Sequence, residues 1–302
     1  MKKITTAAFL LLCFLASFAE KPIQLRLEKG KTYAQILNIN SKVSQLVQGM
    51  SMDIEMGIVT TTSYKVLDVK DSLIFTEVTL SSMKTTMKSP MGTMEFSSES
   101  QNASDPTSML LQELSKNPFK VTLTQSGKVA EVNSSAAIDK AISSVATLSD
   151  DQKGMLKKQL ADQFGDDIMK QNLENGFAYY PPKKEKGEKW NSTLKVKTVI
   201  EMEIQNQNEV TDVTPESVTV KYNGEMASPE NAEPTMLNGL NAKYAISGTM
   251  DGTVTLDVKT GWIISSTVNQ NLKGNIDILP CAQAPSGMQV PMTITTTQTV
   301  TQ

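Results

Sequence analysis

Histidine is absent from all 302 residues. Neither a Ser-His-Asp or Cys-His relay nor a histidine-containing metal site can therefore be built, and no side chain with an ordinary pKa near neutrality is available as a general base. Arginine occurs once, at Arg26, which removes the residue best suited to a bidentate grip on phosphate or carboxylate. The lysines are scattered and the formal net charge is −3, so the electrostatic footprint of a nucleic-acid binder is missing. Aromatics make up only 5% of the chain. No segment beyond the N-terminus approaches the ~20 consecutive apolar residues that a membrane-spanning helix needs. These absences leave a protein read as non-enzymatic, with no catalytic residue, cofactor, metal or nucleic-acid partner assigned.

Two cysteines are present, Cys13 and Cys281. Cys13 lies in an apolar stretch from Ala7 to Phe18 that follows Lys2 and Lys3, and Ser17-Phe18-Ala19 supplies a small-x-small cleavage pattern. Together these read as a secretory signal peptide over residues 1–19. Leu10, Leu11 and Leu12 before Cys13 favour ordinary cleavage over lipidation. Removal of the leader leaves Cys281 alone, so the exported chain has no internal disulfide and its stability rests on packing. The expected location is the periplasm or cell surface of a Gram-negative bacterium.

What the chain has in quantity is period-two alternation. Met50, Met52, Ile54, Met56, Ile58, Tyr64 and Val66 fall at even positions, with Ser51, Asp53, Glu55 and Lys65 between them. This predicts one long strand, or two joined near Gly57, with a single buried face. The same reading covers Leu194 through Ile200 and Met202 to Ile204, and again Trp262 to Ile278. One-sided burial is the habit of antiparallel sheets with a wet face. Ser126-Gly127, Asn223-Gly224, Asp251-Gly252 and Thr260-Gly261 read as turns between these runs.

Local order also repeats. Lys29-Gly30-Lys31-Thr32-Tyr33 and Lys186-Gly187-Glu188-Lys189-Trp190 each open a strand-patterned run, followed by Val66-Leu67-Asp68-Val69 and Val210-Thr211-Asp212-Val213, then by Val-Thr-Leu at Val121 and at Val254. This order is read either as two similar β units or as two ordinary meanders.

Helical spacing is confined to mid-chain. Met109, Leu110 and Leu114 share a face between Pro106 and Lys116. Ser134 or Ser135 can cap a helix carrying Ile138, Ala141, Ile142 and Val145, and Ser149 with Gln152 forms a capping box for Met155, Leu156, Leu160 and Phe164. Asp150-Asp151 and Asp166-Asp167 stand at helix starts, where the dipole favours negative charge. The expected fold is α+β, mainly antiparallel. It is a curved open sheet, half-barrel-like, with an N-terminal β unit (20–133), a helical insert on the concave side (134–180) and a C-terminal β unit (181–302), all in one continuous domain.

Leu25-Arg26-Leu27 with Lys29-Gly30 and Tyr33, the Pro181-Pro182 lead into Gly187 and Trp190, and Asp257-Val258-x-Thr260-Gly261 followed by Ser265-Ser266 resemble a family of exported Bacteroidota proteins of unknown function. Those motifs are turns and strand starts, so the resemblance implies no catalytic residue. The architecture is similar in pattern to the periplasmic lipoprotein carriers, whose half-barrel holds acyl chains under a helical lid, and that likeness implies a hydrophobic ligand such as a lipid.

The residues read as lining such a groove are Met50, Met52, Ile54 and Met56 on the first long strand, Ile200 and Met202 on the second, and Leu156 and Leu160 on the helical insert. Methionine is adaptable enough either to fill a core or to line an apolar pocket. Met83, Met87, Met91 and Met94 cluster in a short stretch; thioethers are ligands for Cu(I), but no histidine or cysteine assists them there. The other reading of the whole chain is a structural or protein-interaction module of the envelope with a packed core.

Overall fold

The computed structural model describes residues 22–302 apart from residues 48, 101–104, 147, 198–199, 238–239 and 283. The leader and Cys13 lie outside these residues. The elements run β1 (Thr32–Val47), β2 (Met50–Lys70), β3 (Leu73–Ser89), β4 (Gly92–Ser97), α1 (Pro106–Lys116), β5 (Phe119–Thr124), β6 (Val129–Asn133), α2 (Ser135–Ser144), α3 (Asp150–Phe164), α4 (Asp166–Phe177), β7 (Lys189–Lys197), β8 (Glu201–Val213), β9 (Ser217–Ala227), β10 (Thr235–Leu237), β11 (Leu240–Asp257), β12 (Ile263–Ile278) and β13 (Met288–Thr301). The fold is α+β and mainly antiparallel, as the alternation predicts. All strands join one open, curved sheet in the order β6-β5-β3-β2-β1-β13-β12-β11-β9-β8-β7, with β4 paired to β3 and β10 to β11.

That order contains the repeat. Strands β1, β2, β3, β5 and β6 form one five-strand meander, β7, β8, β9, β11 and β12 form another, and β13 joins them by pairing with β1 and β12. The matched motifs have matched geometry. Gly30 (φ 81°) and Gly187 (φ 91°) both take the left-handed conformation that glycine tolerates. Gly30 N donates to Val66 O at 2.9 Å and Gly187 N to Val210 O at 2.8 Å. The register then shifts between Val66 and Asp68 in one unit and between Val210 and Asp212 in the other, so the Val-x-Asp-Val motif marks the same bulge twice.

Cross-strand register puts most apolar positions of the long strands on one face, with Ile36, Leu46 and Val59 among those on the other. Two clusters of buried side chains fill that face. The first joins Tyr64, Val66, Val78 and Leu123 to the insert through Leu110, Ile138, Leu160 and Met169, with Leu25 and Trp262 at its base. The second is built from β7 to β13 around Tyr222, Ile246, Leu256 and Ile276. The helices lie on this inner face: α1 packs on β3 and β4, α2 between α1 and α3, and α4 against both β6 and β7.

Several local expectations need correction. Leu194 to Ile204 is not one strand: β7 ends at Lys197 and β8 begins at Glu201, with Lys195 opposite Glu203 and Val196 opposite Met202. An in-register hairpin keeps its apolar residues at even positions on both arms, so alternation alone cannot separate it from a continuous strand. Asn223-Gly224 and Asp251-Gly252 are not turns but lie inside β9 and β11. Their glycines leave pits in the inner face, where a side chain would collide with Asn206 and with Tyr222 respectively. A reversal that carries no glycine, Asp71-Ser72 with both φ positive, joins β2 to β3. Ser134 does not cap α2 with its own side chain. Asp166 does so instead, accepting from Ser134 N, Ser134 Oγ and Ser135 N at 2.6, 2.8 and 2.9 Å.

Candidate functional site

One end of the molecule is stoppered. Leu25 and Leu27 are buried beneath the β1 start, where Leu25 N donates to Gln125 O and Arg26 N to Thr260 O, both at 2.7 Å. Trp262 is the centre of an aromatic group, 5.4 Å from Tyr33, 5.1 Å from Tyr64 and 6.4 Å from Phe177 between ring centroids. Tyr180, pushed up in pKa by burial, donates its hydroxyl to Gly261 O at 2.6 Å. The turn at that point is held by Asp257 Oδ1, which accepts from Lys259 N, Thr260 N and Thr260 Oγ1. Leu25-Arg26-Leu27, Tyr33 and the Asp257 to Gly261 turn are therefore parts of this stopper.

The opposite rim is formed by the tips of β1-β2, β3-β4 and β10-β11, which antiparallel pairing places together along the sheet. It carries exposed apolar side chains: Met50 at 67%, Met91 at 89% and Met94 at 49%, with Leu46 and Met236. Below Met50, the residues Met52, Ile54, Met56 and Ile58 run down the inner face half-buried, with Met87 opposite Met56 and Met94 opposite Met87. Met52, Ile54, Met56 and Met87 belong to neither packed cluster. They form an apolar surface that α1, seated lower on β3 and β4, leaves partly open.

The structure thus divides the residues read as ligand-lining. Met50, Met52, Ile54 and Met56 share this open patch. Met202 is buried in the second cluster and Ile200 packs beside it. Leu160 is buried in the first cluster with Leu156 against it. What the sequence reading missed is the contribution of β3 and β4, Met87 and Met94. Their spacing had suggested a thioether ligand set, but Met83 is buried in the first cluster and Met91 stands at the tip.

A hollow lies on the other face. It measures about 710 Å³ and is floored by Asn40, Gly57, Thr297 and Asn269, with Lys42, Lys84 and Lys88 around it. These lysines are paired: Lys42 with Asp53 at 2.9 Å, Lys84 with Glu95 at 2.9 Å and Lys88 with Glu55 at 4.0 Å. The hydrogen bond and charge of Lys42 hold the Asp53 carboxyl below the usual carboxylate range. A neutralised, solvated face of this kind offers no net charge for recognition. Among the described residues no group of three or more Asp, Glu or Cys is placed to hold a metal ion, and no helix is long and apolar enough to cross a membrane. Cys281 is a free, half-buried thiol.

The seam between the sheet edges is closed by α4 through two adjacent side chains. Glu174 Oε1 accepts from Val129 N of β6 at 3.0 Å, and Asn175 Nδ2 donates to Lys195 O of β7 at 3.1 Å.

Residues 71–263 match a family of unknown function, DUF6263, and the chain belongs to it. No curated protein matches. Among solved structures, an outer membrane channel from Pseudomonas putida F1 is 8% identical over 92% of this chain and 97% of that chain, with a TM-score of 0.25. OmpF of Salmonella typhi in complex with daunomycin is 6% identical over 91% and 99%, also with a TM-score of 0.25.

Proposed function

We propose that this member of DUF6263 is an exported, non-enzymatic binding protein that takes up an apolar ligand, a lipid or acyl chain, through its methionine-bearing rim. The observation that supports this is the apolar strip from Met50 through Met52, Ile54 and Met56, with Met87 and Met94 beside it, which belongs to neither packed cluster and ends at an exposed rim. Flexible thioether side chains conform to ligands of varied shape, and an exposed apolar patch on a folded chain marks a contact surface. Titration with a fluorescent fatty acid tests the reading. Wild-type protein binds the probe, and Met52→Glu with Met87→Glu weakens binding at least about tenfold, roughly 1.4 kcal/mol, without lowering the thermal midpoint. Absence of uptake, together with no lipid retained in native mass spectrometry, overturns it. Export is part of the same proposal, and fractionation of cells carrying the full chain, with the protein recovered in the cytoplasm, would contradict that part.

A second reading rests on a different observation. Buried side chains of the first cluster fill the space between the sheet and the helices, and the second cluster runs from beside the stopper to Ala242, Ile278 and Met292 near the rim. A packed interaction module of the envelope fits this as well. It predicts no lipid uptake and a protein partner crosslinked through the same rim.

A further inference from the structure

We infer that the inner face carries, beside the methionine strip, a polar seat for the uncharged head group of an amphipathic ligand, made by Asn206 and Asn208 beneath Tyr179. This rests on the apolar-ligand reading and names the ligand class. Register shows the arrangement. At one level of the sheet Met94, Met87 and Met56 lie side by side. The same level continues through Ser41, Thr296 and Gln270, where the Ser41 and Thr296 hydroxyls bond each other at 2.9 Å. It then passes Met250 and Gly224 to reach Asn206. Hydroxyl and amide groups on the middle strands, Ser41, Thr296 and Gln270, are thus separated from Asn206 by the buried Met250 and by Gly224.

At its end the polar groups outnumber their partners. Asn206 is 1% exposed, and both its Oδ1 and Nδ2 lack a hydrogen-bond partner, as does Asn208 Oδ1. Asn208 Nδ2 is satisfied by Trp190 O and Ser192 Oγ, both at 3.1 Å. The Asn206 carboxamide lies over the pit left by Gly224, beside Met250. Tyr179 stacks on Tyr222 with centroids 4.3 Å apart, and its hydroxyl interacts with both Tyr222 and the Asn206 amide, although the contact to the amide falls short of good hydrogen-bond geometry. Buried amides left open in this way call for a donor-and-acceptor group from outside the chain.

The inner-face positions of β7, β8, β9 and β11 to β13 carry no Asp, Glu, Lys or Arg. An ionised head would therefore be stranded without a counter-charge. The fitting chemistry is a neutral ester, amide or hydroxyl, which a bound water also possesses.

The test measures displacement of a bound dansyl-labelled fatty acid by a monoacylglycerol and by the chain-matched free fatty acid. Wild-type protein is expected to favour the monoacylglycerol by about tenfold or more, and Asn206→Leu to bring that ratio near unity while probe affinity changes less than about threefold. Asn206→Ala repeats the comparison without adding bulk against Met250. Probe binding without any head-group preference, or a preference that survives both substitutions, overturns the seat and leaves the apolar-ligand reading standing. If wild type shows no preference and Asn206→Leu lowers the thermal midpoint, the amides hold water only, which also overturns the seat. Failure of wild type to bind the probe removes both.

Discussion

At the scale of single residues, the chain concentrates its few aromatics and its best-placed carboxylate where the fold is most constrained. Trp262 is 1% exposed and touches three other rings, yet its Nε1 has no partner. Its contribution is packing, so Trp262→Ala should cost about 3–5 kcal/mol in urea unfolding. Trp262→Phe, which removes an unpartnered donor along with some volume, should cost less than half as much. Equal losses from the two would show that the indole N–H is in fact satisfied. Asp166 works electrostatically. Partial burial pushes its carboxyl upward, but the bonds from Ser135 and Ser134 outweigh burial and hold it below the usual range. A carboxylate depressed in the folded state stabilises that state above its ordinary pKa, about 3.9, and loses the effect as pH falls through the folded value. Asp166→Ala should therefore lower stability by about 1 kcal/mol near neutrality, with the gap to wild type closing below about pH 4. A gap unchanged at pH 3 would place the stabilisation in geometry instead of charge.

At the scale of elements, α4 does what an unprotected sheet edge requires. β6 and β7 would otherwise present unpaired N–H and C=O groups, the template for edge-to-edge association. Glu174 and Asn175, adjacent in sequence, bond one group on each edge. Glu174→Ala with Asn175→Ala should remove about 1–3 kcal/mol in total and produce concentration-dependent oligomers in light scattering. A strictly monomeric double variant would mean that packing of Met169 and Phe177 alone guards the seam.

None of this bridging is legible in the sequence, because it depends on two edges brought together from residues far apart. The acidic first turn of α4 is legible, since the helix dipole acts locally, but the full run of Asp166–Phe177 is not. The same divide explains the strand errors. Gly224 and Gly252 signal turns by local rules, but here they answer to Asn206 and Tyr222 on neighbouring or nearby inner-face positions. The Met50–Met56 strip was readable from alternation, whereas Met87 and Met94 joined it only through cross-strand register.

At the scale of the whole molecule, the two meanders are held in one sheet by β13, which places the last strand of the chain beside the first. Ser41 and Thr296 face each other across that pairing although they stand 255 positions apart. Contacts of such separation form only after much chain entropy has been spent, so this pairing should limit the folding rate. A crosslink at that point makes the longest-range contact local. Ser41→Cys with Thr296→Cys places two thiols on directly paired residues of the same face, and closing so long a loop should stabilise the oxidised form by about 2–5 kcal/mol. Refolding of the oxidised protein should also be faster than that of the reduced protein, because β1 and β13 no longer need to find each other. Unfolding monitored with and without reductant separates the outcomes: a thermal midpoint and refolding rate indifferent to reductant, with the disulfide verified by mass, would mean that β1 and β13 are not the join between the two halves.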